Sequence, residues 1–126
     1  MKPIKIDDFH YLDSNYVVGD KNYDVQDLIK ASEDLEEFDL PLAGVNMNHS
    51  ICQATLTSFL YHWKRVEKAD LKYPVIIDST GYICDGWHRV AKAILEGKTT
   101  IKAKRLEVMP EPVSYTHLTL PTNREV

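Results

Sequence analysis

The chain has 126 residues, 44% of them hydrophobic and 27% charged, with a formal net charge of −4, which fits one domain with a modest core. That balance supplies no global positive field to draw the protein toward DNA or RNA, and the basic residues Lys102, Lys104 and Arg105 read as a solvated strand face. No apolar run is long enough to cross a membrane, Met1-Lys2-Pro3 leads into mixed polar sequence without a signal-peptide core, and Cys52 and Cys84 lack metal-ligand spacing, so a reduced, cytoplasmic protein is the expectation.

Ile4-Lys5-Ile6 and Tyr16-Val17-Val18 are β-compatible, and residues 19–22 form a reverse-turn signal. Asp24 reads as an N-cap with Asp27 three residues on, and Val25, Leu28, Ile29 and Leu35 supply a helical apolar stripe. That helix ends before Asp39-Leu40-Pro41. Leu42-Ala43-Gly44-Val45 reads as a short strand and residues 46–53 as a loop. Thr55 or Thr57 opens the clearest helix, in which Leu56, Phe59, Leu60, Trp63 and Val66 recur at three- and four-residue steps and are expected in the core. His62, Lys64, Arg65, Glu67 and Lys68 fall on the other face, with His62 expected to be solvated.

Residues 75–78 and 82–84 read as strands joined by Ser79-Thr80-Gly81. The second delivers the chain into Asp85-Gly86-Trp87-His88-Arg89, after which Val90, Ala91, Ile94 and Leu95 follow a helical period. Glu96-Gly97 ends this helix, with Gly97 suited to a left-handed C′ position. A final strand spans 99–106, with Ile101, Ala103 and Arg105 on the face opposite Lys102 and Lys104. The sum is a small α+β domain with a short mixed sheet and about three helices. The start of the third helix offers unpaired amides and partial positive charge, to which Arg89 adds a bidentate fork and His88 a nitrogen that titrates near neutral pH. A plainer reading makes Asp85 an N-cap, pairs His88 and Arg89 with Asp78 or Glu96, and leaves Lys92 solvated and Cys84 a buried apolar residue. Trp87 either stacks on a ligand or seals the edge of the core.

The segment from Tyr73 to Leu106, with Asp85-Gly86-Trp87-His88-Arg89-Val90-Ala91 at its centre, resembles the ParB/sulfiredoxin superfamily, whose hallmark is an apolar strand, a hairpin and D-G-x-H-R-x-x-A at a helix start. The resemblance covers about a third of the chain. It implies that Gly86, His88 and Arg89 contact the phosphates of a nucleotide (ATP, ADP or CTP), with Asp85 and His88 as catalytic candidates. Asp85 is implied to orient Arg89, to hold a Mg²⁺ ion or its water, or to act as a nucleophile. Sulfiredoxins carry a reactive cysteine directly before His-Arg, where this chain has Trp87. The free serine kinases carry Asp-Gly-His-His-Arg, differing from residues 85–89 only at Trp87. The implied activity is phosphoryl transfer or phosphodiester or nucleotide hydrolysis. The alternatives are a non-catalytic accessory or regulatory module, as in compact phage-type members, or a ParB-like nuclease, for which Asp78 is the nearest second carboxylate. DNA stays open as a partner, although net charge does not favour it. Residues 1–112 are expected to form the domain, because residues 113–126, opening with Val113-Ser114-Tyr115-Thr116-His117-Leu118, resemble a translated sequencing adapter.

Overall fold

A computed structural model describes residues 1–10 and 14–115. The chain forms β1 (Asn15–Val18), β2 (Lys21–Asp24), α1 (Val25–Ala31), β3 (Phe38–Pro41), a 3₁₀ turn (Leu42–Gly44), α2 (Leu56–Lys68), β4 (Val75–Ile77), β5 (Ile83–Asp85), α3 (Trp87–Leu95), β6 (Thr100–Arg105) and β7 (Ser114–Tyr115). The α+β expectation holds, with three α-helices on two sheets. A mixed four-stranded sheet has the order β3-β6-β4-β5. In it β4 runs parallel to β6, while the β3–β6 and β4–β5 pairs are antiparallel. The second sheet, β1-β2-β7, is antiparallel throughout.

Apolar residues cover both faces of the four-stranded sheet, which is why β4 reads as an unbroken run rather than an alternation. Val75, Ile77, Ile83, Ile101 and Ala103 point to one side and pack with Val90 and Ala93 of α3. Ile76 and Cys84 point to the other, where they meet Tyr16, Tyr23, Val25 and Leu28 from the β1–β2 hairpin and α1. The α1 cap forms as its sequence requires, with the Gln26 amide donating to Asp24 Oδ1 at 2.9 Å. At the far end of α3, Gly97 takes φ 76°.

Four expectations need correction. Ile4-Lys5-Ile6 is not a strand, and Leu42-Ala43-Gly44 is a 3₁₀ turn. The strand in that region is Phe38–Pro41, an edge strand whose terminal proline has no amide to give the ladder. The apolar stripe of α2 faces outward: Phe59 is 50% and Trp63 41% exposed, their rings stacked on one another, and Val66 alone on this helix is buried. Lys92 is not solvated, because its Nζ donates to the carbonyls of Glu67 and Ala69 at 2.9 and 2.7 Å and so closes the C-terminal end of α2. Ser114 and Tyr115, from the adapter-like segment, pair with Asn22 and Lys21 of β2. His117 lies outside the described residues. No helix among the described residues is long and apolar enough to cross a membrane.

Candidate functional site

The turn from β5 into α3 places Asp85, Gly86, His88 and Arg89 on the wall of a cleft of about 540 Å³. Gly86 is the N-cap of α3 with φ 111° and ψ 20°, and no side chain caps the helix. A Cβ built on it would sit 2.5 Å from Val75 Cγ1 and 2.9 Å from Val75 Cβ. The glycine is therefore required by the packing of this turn onto β4, whatever else it does.

Arg89 does not project freely. Its Nη2 donates to Asp85 Oδ2 at 2.7 Å, and its Nη1 donates to the carbonyls of Pro74 and Tyr73 at 2.9 and 3.1 Å. The Asp85 and Arg89 side chains are only 18% and 17% exposed. This i,i+4 pair clamps the segment entering β4 to the beginning of α3. Of the three roles the resemblance leaves for Asp85, the geometry displays the orienting one.

His88 faces α2, where its Nε2 lies 2.8 Å from His62 Nδ1 and the two rings stack at 5.1 Å. His62 is thus an internal partner of the motif and not a solvated residue. One ring must donate and the other accept, so the bond holds no more than one extra proton between them. Burial, and then the charge of Arg65, push the His88 pKa down to about 3, and the same two causes lower that of His62. At neutral pH both imidazoles are uncharged. Trp87 is half-buried, packs against the core and stacks on His49 at 4.1 Å, so it seals the core edge with one ring already on its face.

The cation that faces the cleft without a carboxylate partner among the described residues is Arg65. Its guanidinium lies 3.6 Å above the Phe9 ring and 5.9 Å from the Tyr61 ring. Burial lowers its pKa, and Tyr61, which also hydrogen-bonds to it, and then Asp85 offset part of that. The sequence reading puts Arg65 on a solvated face. The signal that could have found it is its i,i+3 spacing from His62, which puts both on one side of α2. Lys64 and Lys68 line the same cleft.

Other candidates are engaged elsewhere. Asp78 closes the β4–β5 hairpin, accepting from the Thr80 hydroxyl at 2.6 Å and from the Thr80 and Tyr82 amides at 2.9 and 3.0 Å. Burial pushes the Cys84 thiol up to about 12, so it is no thiolate at neutral pH. No group of three or more His, Cys, Asp or Glu side chains fit to hold a metal ion occurs among the described residues. Asp85, with one oxygen committed to Arg89, does not by itself make a Mg²⁺ site. Compared with family models, with curated proteins and with solved structures, the chain matches none.

Proposed function

We propose that the cleft between α2 and the start of α3 binds a phosphorylated ligand, a nucleotide such as ATP, ADP or CTP being the best fit. The observation that carries this is Arg65, a partly buried guanidinium with one face on the Phe9 ring, unpaired with any carboxylate among the described residues and lining the same cleft as an uncapped helix start. A guanidinium stacked on one ring and bonded to the Tyr61 hydroxyl still has N–H donors left for an oxyanion. The uncapped first-turn amides of α3 favour the same charge. A volume of about 540 Å³ suits a nucleotide-sized ligand, and Tyr61 and Tyr73 give the cleft rings for a base.

Within this reading Arg65 takes the phosphate role that the resemblance assigns to Arg89. His88 contributes a neutral imidazole, and Gly86 a close backbone approach. A binding module without chemistry of its own is favoured over a phosphotransferase by two contacts. Asp85 Oδ2 is held by Arg89, and His88 Nε2 by His62, so both catalytic candidates are engaged in holding the fold. Mg²⁺ would arrive with the phosphates, its charge spread over their oxygens. The second carboxylate that the nuclease reading names, Asp78, is engaged by the hairpin.

Calorimetric titration with ATP, ADP and CTP, with and without Mg²⁺, tests the reading. Saturable binding that Arg65→Gln weakens at least tenfold, in a variant of unchanged circular dichroism, is the expected result. Equal behaviour of Arg65→Gln and the unaltered protein refutes it. Nucleotide recovered intact after long incubation marks a module, and conversion to diphosphate marks an enzyme.

A further inference from the structure

The cleft already holds an anion, and the chain supplies it. Ile6, Asp8 and Phe9 contact α2, with Asp7, Asp8 and Phe9 in the cleft wall. Asp8 Oδ1 sits 2.8 Å from Lys64 Nζ and 3.0 Å from Lys68 Nζ, and Lys64 also donates to the Ile6 carbonyl at 2.8 Å. Phe9 lies flat on the Arg65 guanidinium at 3.6 Å. A carboxylate on two ammonium groups, beside an aromatic ring on a guanidinium, has the chemistry of a phosphate and a base on the same wall. Resting on the cleft reading above, we infer that Lys64 and Lys68 form a second anion subsite, for the distal phosphate of a di- or triphosphate, and that Asp8 and Phe9 are a built-in competitor which the ligand must displace.

The charge balance supports the displacement. The basic residues of the cleft are Lys64, Arg65, Lys68 and Arg89, and the acidic ones Asp7, Asp8, Asp70 and Asp85. With the arm in place these cancel; with Asp7 and Asp8 gone the cleft carries two net positive charges. The arm is also weakly fastened. Asp8 is 63% and Lys68 66% exposed, and such ion pairs are cheap to break and screened by salt. The Ser14 carbonyl accepts from the Val25 amide at 3.1 Å, a contact independent of residues 6–9, so their release leaves α1 anchored. The two lysines stand one turn apart on α2, so a single oxyanion can take both.

Inorganic pyrophosphate is the probe, titrated by calorimetry and followed by nuclear Overhauser contacts between the Phe9 ring and the Arg65 side chain. Asp8→Asn should bind pyrophosphate about three- to tenfold more tightly than the unaltered chain, because the competitor no longer lowers the competent fraction. Saturating pyrophosphate should remove the Phe9–Arg65 contact in the unaltered protein. Lys64→Gln/Lys68→Gln should free the arm yet bind pyrophosphate more weakly than Asp8→Asn does. Equal affinities of Asp8→Asn and the unaltered chain, or a Phe9–Arg65 contact that persists under bound pyrophosphate, overturn the inference and leave the cleft reading standing. Loss of binding in Arg65→Gln but not in the double lysine variant overturns the subsite alone. Pyrophosphate bound by neither the unaltered chain nor Asp8→Asn removes the cleft reading, and the competitor with it.

Discussion

Gly86→Ala separates two explanations of the glycine in the D-G-x-H-R turn. If it serves only the approach of a phosphate, alanine there spoils binding and spares the fold. The geometry requires the opposite emphasis. At φ 111° and ψ 20° an alanine sits in a left-handed conformation that costs about 1–2 kcal/mol. Its Cβ would meet Val75 at 2.5 and 2.9 Å, and Val75 is fully buried on β4 with no free space to retreat into. Overpacking of that kind adds about 1–3 kcal/mol. The total is about 3 kcal/mol, or about 10 °C in Tm for a domain between the small and mid-sized classes. Thermal and urea unfolding followed by far-ultraviolet circular dichroism measure it. In a double-mutant cycle, Val75→Ala should relieve the overpacking part, leaving Gly86→Ala/Val75→Ala about 1 kcal/mol less destabilised than the sum of the single variants. A Gly86→Ala protein within about 1 kcal/mol of the original, or strict additivity with Val75→Ala, would falsify the close-packing account of this turn.

Arg89→Ala should destabilise the fold by about 2–4 kcal/mol, because it leaves the largely covered Asp85 carboxylate and two carbonyls of the β4 entry without their donor; an Arg89→Ala chain as stable as the original in urea would contradict the clamp. The His88 pKa lies below its unfolded value, so the neutral native form gives full stability above about pH 6.5 and stability falls as pH drops toward about 3. The slope should be under 1.4 kcal/mol per pH unit, since the ring is only part-buried. His88→Gln should flatten the loss between pH 6 and 4, and a His88 resonance titrating near 6.5 by NMR would rule out the buried neutral pair. On α2, Trp63→Gln should change stability by less than about 1 kcal/mol while Val66→Ala costs about 1–2 kcal/mol, the reverse of what the apolar stripe alone implies.

The parts of the fold legible in the sequence are those whose signal is local or whose burial is two-sided. β4, β5, α3 and β6 follow from the apolar run at 75–77, the hairpin signal and the switch to helical spacing, and α1 follows from the Asp24 cap. β3 escaped because Phe38-Asp39-Leu40-Pro41 looks like punctuation, and only its place at the sheet edge, beside β6, makes a strand with a terminal proline tolerable. α2 misleads for a different reason. Periodicity identifies an apolar face but not the neighbour that each face meets. Here His62 reaches His88, Lys64 reaches Ile6 and Lys92 reaches the end of the helix, so polar contacts on the other side orient α2 and leave Phe59 and Trp63 outside. The pairing of His62 with His88 spans 26 residues and depends on how α2 rests on α3, a relation that spacing along the chain does not encode.

The D-G-x-H-R pattern itself acquires a structural explanation that needs no ligand. Asp85 and Arg89 are four residues apart across a helix start, the separation at which their side chains can meet, and Arg89 uses its remaining donors to hold the chain entering the central strand. Gly86 is fixed by contact with Val75 on that same strand, and His88 by the helix opposite. Each of the four residues is thus required by the packing of α3 on β4 and α2. A resemblance at these positions therefore vouches for an architectural joint first and for chemistry second. The guanidinium without a carboxylate partner among the described residues lies across the cleft on α2, where no motif marks it, and that is why Arg65→Gln is a sharper test of the proposed binding than any change within the motif.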